Sequence, residues 1–92
     1  RLAMPAFIVT YDLRQHGQNY DCITKRLESY PTHWHMQQSV WIINTEKSAK
    51  EIRDHLTACL DANDKLFVGR LSGQAAWKGY EDSASQWLMS TL

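Results

Sequence analysis

Asp12 closes the apolar run Phe7-Ile8-Val9-Thr10-Tyr11, just before Leu13 and the polar segment Arg14-Gln15-His16-Gly17-Gln18. A carboxylate fixed at the mouth of a strand can hold a proton or a divalent cation, because hard ions such as Mg2+ and Mn2+ prefer carboxylate oxygens and keep several waters. Arg14 and His16 follow closely enough to contact a phosphate or pass a proton, since imidazole titrates near neutrality. The same residue types also suit a solvated loop, and an aspartate at a strand end also forms turns and caps. Tyr11 alternates to the opposite face from Asp12 and reads as core.

Other side chains with chemical potential are more scattered. His33 and His35 occupy alternate positions, so a strand projects both rings on one face. A structural zinc site usually needs four ligands, and Cys22 or His55 would have to converge on the pair to supply them. Nothing in the spacing demands that. Of the four tryptophans, Trp41 lies within an apolar run and reads as core, and Trp87 falls in the last predicted helix. Trp34 on an edge and Trp77 in an irregular stretch are candidates for partner binding, since tryptophan is enriched at association hot spots and can stack on unpaired bases. Cys22 and Cys59 fall on separate predicted helices and need not meet; without a secretory signal they read as reduced thiols packed as small hydrophobes in a cytoplasmic protein.

Composition narrows the classes. The chain has 92 residues, 43% apolar and 22% charged, which suits one domain with an adequate core. No apolar run approaches a membrane span. Arg1-Leu2-Ala3 before Met4 reads as a cloning remnant, with residues 4–92 as the domain. Ten basic and ten acidic residues cancel, which argues against indiscriminate binding to phosphate backbones. A local basic patch from Arg14, His16, Lys25 and Arg26 stays open.

The elements that must position these residues follow from periodicity and punctuation. A strand spans Ala6 to Asp12. Asn19 can cap a helix ending near Tyr30, with Tyr20, Ile23, Leu27 and Tyr30 on its buried stripe and Pro31 as its stop. A short edge strand, His33 to Gln37, and an interior strand, Ser39 to Thr45, form a hairpin or a bulged bend. Ser48-Ala49-Lys50-Glu51 is a capping box opening a helix that buries Ala49, Ile52, Leu56 and Cys59 or Leu60. Lys65 to Leu71 is the fourth strand, where Gly69 marks a bulge or a close approach. Asp82 or Ser83 caps a last helix carrying Trp87, Leu88 and Leu92. This order predicts an α+β, ferredoxin-like β-α-β-β-α-β sheet of four antiparallel strands, core 6–71, with a C-terminal helical tail over 72–92. Both helices fall on one face, yet the first and third strands are apolar on both. A second copy, the tail, or both must therefore cover the other face.

Within this order, Tyr11-Asp12-Leu13 closing the first strand and Gln38-Ser39-Val40-Trp41 opening the third resemble the small CRISPR adaptation subunit, the Cas-two family. They resemble more closely its SinR-like bacterial cousins, and the virulence-associated protein D group shares the broad fold. The resemblance covers Ala6 to about Leu71. It implies a homodimer in which Asp12 of each copy faces its counterpart, the two holding one Mg2+ or Mn2+ that activates water against a phosphodiester of RNA or DNA. It equally admits a non-catalytic scaffold that binds nucleic acid or a protein, and a ribonuclease toxin. Tyr30-Pro31-Thr32 replaces the family's glycine, His33-Trp34-His35 replaces its basic or small residues, and the tryptophan-rich tail has no counterpart in the adaptation subunit.

Overall fold

The computed structural model describes residues 4–13 and 20–92. Within them the chain forms β1 (Ala6–Asp12), α1 (Tyr20–Glu28), β2 (Thr32–Gln37), β3 (Val40–Asn44), α2 (Ala49–Thr57), β4 (Lys65–Leu71) and α3 (Asp82–Thr91). The strands make one sheet in the order β2-β3-β1-β4, antiparallel at every seam. This is the ferredoxin-like α+β arrangement with a C-terminal helix.

Strand alternation sorts the side chains into two layers. Phe7, Val9 and Tyr11 of β1 share a core with Trp41 and Ile43 of β3, Ile23 and Leu27 of α1, Tyr30, and Ile52 and Leu56 of α2. Tyr20 belongs to the predicted helical stripe but, as the first residue of α1, is 44% exposed. The capping box forms as the sequence requires. Ser48 Oγ accepts from the Glu51 amide at 3.1 Å, and Glu51 Oε1 accepts from the Ser48 amide at 2.8 Å. The β2–β3 hairpin contains a bulge, since His35 pairs with Trp41 while Gln37 pairs with Val40. Gly69 is a close approach: a Cβ there would meet the Phe67 ring at 2.8 Å.

The opposite face is covered by the chain's own tail. Trp34 lies beside Ile42 in the sheet, and its ring meets those of Tyr80 at 5.3 Å and Trp87 at 5.7 Å. Tyr80 Oη donates to Gln37 Oε1 at 2.9 Å. Leu88 is 1% exposed and Ile42 3%, and Leu92 closes a hollow with Leu71 through Ala75. The tail thus starts α3 against β2 and ends it near the last residue of β4. The helix begins one residue from the predicted cap, at Glu81, whose side chain makes no capping bond.

The thiols need correcting. Cys22 and Cys59 form a disulfide, with Cα atoms 5.6 Å apart, and no free cysteine is present among the described residues. The reason is topological: α1 and α2 lie side by side on one sheet face, a proximity that spacing along the chain does not reveal. The same seam carries Tyr30 Oη hydrogen-bonded to His55 Nδ1 at 2.9 Å and Arg26 Nη1 donating to the His55 carbonyl at 2.8 Å. No helix among the described residues is long and apolar enough to cross a membrane.

Two measurements test this seam. Replacing both cysteines (Cys22→Ser with Cys59→Ser) removes a cross-link separated by 37 residues; chain entropy then predicts a loss of about 3–4 kcal/mol. The thermal midpoint should fall by roughly 10 °C or more, and an unchanged midpoint would show that the link contributes nothing. Burial, then the charges of Arg26 and Lys47, hold the His55 pKa below its ordinary 6.5. The unfolded chain therefore takes up a proton that the folded one resists, so this contribution is complete above 6.5 and lost as pH falls below it. The midpoint should drop between about pH 7.5 and 5.5, and His55→Gln should shrink that drop; an equal drop in both proteins would place the sensitivity elsewhere.

Candidate functional site

Asp12 is the last residue of β1, which lies between β3 and β4 in the sheet. Its Cα partner across the β1–β4 seam is Lys65, and Thr10 pairs with Phe67 one step inward. Alternation puts Thr10, Asp12, Lys65 and Phe67 on the same face, the one that α1 and α2 leave free. Asp12 and Lys65 are exposed and Phe67 is 61% exposed. Together with Tyr11 and Leu66 these residues line a shallow hollow of about 190 Å³. Directly opposed side chains in an antiparallel pair have Cβ atoms about 4.5–5.5 Å apart, so Lys65 and Asp12 are cross-strand neighbours on this face. The ion pairs among the described residues join Lys50 and Arg53 to Asp54; Asp12 is in neither.

Tyr11 points the other way, as alternation requires. It is buried, and its hydroxyl accepts from Trp41 Nε1 at 3.2 Å. Burial raises the Tyr11 pKa, opposed by the Trp41 hydrogen bond and reinforced by Tyr20, so the phenol stays protonated and serves packing. Trp41, 1% exposed, is core.

The donor set at this corner suits a hard cation only in part. Among the described residues no three of His, Cys, Asp and Glu converge on one point. Asp12 offers a single carboxylate, and the Thr10 hydroxyl lies two residues away on the same face. Mg2+ is commonly held by one or two carboxylates with waters completing its shell, so Asp12 fits as one ligand of two.

The remaining sequence candidates fall elsewhere. Arg14 and His16 lie outside the described residues. His33 and His35 do share a face, flanking Trp41 at ring distances of 6.2 and 4.2 Å. The side chains that could complete a zinc site are engaged, since Cys22 is in the disulfide and His55 in the bond to Tyr30. Trp34 is half-buried against Tyr80 and Trp87, and Trp77 donates from Nε1 to Ser85 Oγ at 3.0 Å. Both candidate partner-binding indoles thus make contacts within the chain. Lys65 escaped the sequence reading. Its place beside Asp12 depends on the β1–β4 register, and one lysine opening a strand carries no signal of that pairing.

No family model matches the chain. Among solved structures, the crystal structure of a hypothetical protein from Thermus thermophilus is similar, with a TM-score of 0.66 at 22% identity, covering 83% of this chain and 92% of that one. That likeness supports the ferredoxin-like fold.

Proposed function

We propose that the chain works as a two-fold dimer that hydrolyses phosphodiester bonds of RNA or DNA, with Asp12 from each copy holding one Mg2+ or Mn2+. The observation that carries this reading is the position of Asp12: exposed, at the end of a central strand, and on the part of the sheet that the tail leaves uncovered. A second copy meeting this corner would bury Phe67, which is 61% exposed, and would bring the missing carboxylate. When bound, the ion supplies a polarised phosphoryl oxygen and an acidified water. The chain's own groups do the rest. Asp12 fixes the ion's place on a strand paired on both sides, Lys65 offers an ammonium to a phosphate oxygen, and Phe67 presents an apolar wall that excludes water.

A second reading, a non-catalytic dimeric scaffold for nucleic acid or a protein, is favoured by the single carboxylate per chain and by the net charge of zero. The two separate on one experiment. Wild type, Asp12→Asn and Lys65→Ala are compared on single-stranded RNA and duplex DNA with Mg2+, Mn2+ or EDTA, while sedimentation reports the oligomeric state. The nuclease reading expects cleavage that needs the ion, falls at least about a hundredfold in Asp12→Asn, and falls less in Lys65→Ala. Absent or ion-independent cleavage by a dimeric wild type rejects it and leaves the scaffold; a monomer rejects both.

A further inference from the structure

At the other edge of the sheet, β2 and the first turn of α3 enclose a cleft of about 280 Å³ lined by His33, Trp34, Glu81, Ser83, Ala84 and Trp87. Its walls are two indoles with rings 5.7 Å apart and tilted by 58°. We propose that this cleft is a binding site for an organic cation, specifically the guanidinium of an arginine side chain on a partner peptide.

Charge decides the sign of the ligand. The start of α3 contributes roughly half a positive charge from its backbone dipole, but Glu81 and Asp82 place two carboxylates on the same turn. The balance is negative, so a phosphate or carboxylate ligand is repelled and a cation is drawn in. The Glu81 carboxylate is available, because its side chain makes no hydrogen bond to the helix it caps. A bare metal ion is the wrong cation, since no three ligating side chains converge among the described residues and indole faces offer no lone pairs.

Shape decides the class. Flat aromatic walls favour a planar, weakly hydrated cation, which stacks on indole and also binds carboxylate through two parallel N–H bonds. The cleft is just below the range of about 300–1,000 Å³ usual for whole small-molecule sites, a volume suited to a side-chain head group. This site is independent of the Asp12 corner and of the nuclease reading.

The test is titration of the full chain with N-acetyl-arginine amide, followed through the indole N–H signals in a nitrogen–proton correlation spectrum. Saturable shifts confined to Trp34 and Trp87, absent with the uncharged citrulline analogue, are expected. Glu81→Gln removes the charge but no capping bond, so its spectrum should keep the wild-type pattern while affinity falls about fivefold. Equal binding of arginine and citrulline, unchanged affinity in Glu81→Gln, or no saturable shift of the two indoles each overturns the proposal. If Trp41 or Trp77 shifts instead, the cation binds elsewhere and the cleft is rejected.

Discussion

β1 and β3 put apolar side chains on both faces of the sheet, and water has to be excluded from both. Phe7, Val9, Tyr11, Trp41 and Ile43 turn toward α1 and α2; Ala6 and Ile42 turn the other way and are just as buried. Each such side chain is worth about 1.5–3 kcal/mol when removed from water, so leaving the second face bare would consume much of the margin a small domain possesses. Helix α3 meets this need and depends on it. With 10 residues and no side-chain cap, it is shorter than helices that persist alone in water. Docking Leu88 and Trp87 onto the sheet holds it in place, so sheet and tail stabilise one another and neither is complete separately.

That mutual dependence also decides where chemistry can occur. The tail covers the face from the β2 edge toward the last residues of β4, which leaves the corner of Asp12, Lys65 and Phe67 in contact with solvent. A tail docked one strand further over would have sealed the carboxylate. The same docking creates the second cleft, since Trp87 reaches Trp34 only because α3 begins against β2. Both candidate sites are therefore products of how the second face was covered, at opposite edges of the sheet.

Much of the fold was legible in local signals. The capping box fixed the start of α2, Pro31 lay beyond the end of α1, and the β-branched and aromatic runs marked β1 and β3 within a residue or so at each end. The requirement for a second cover was legible too, from strands apolar at consecutive positions. What was hidden depends on register or on packing between elements distant in sequence. Lys65 faces Asp12 only through the β1–β4 pairing, and Cys22 meets Cys59 only because α1 and α2 share a seam. The aromatic tail looked like a docking surface because tryptophans outside regular strands carry no indication of whether their partner is another molecule or the same chain. Trp34 meets Tyr80 and Trp87 and Trp77 bonds to Ser85, contacts that only the fold of the tail reveals.

A single carboxylate per chain places a constraint on the proposed dimer. Two Asp12 side chains brought within about 4 Å repel by roughly 4 kcal/mol at the effective dielectric of a protein surface, enough to oppose assembly through a small interface. Lys65 is positioned to offset part of this, since each copy carries one opposite its own Asp12. In the proposed dimer a divalent ion held between the two carboxylates would offset their mutual repulsion directly. Assembly and ion binding at this corner are then linked in free energy: whatever affinity the ion gains from the second carboxylate, the dimer gains from the ion.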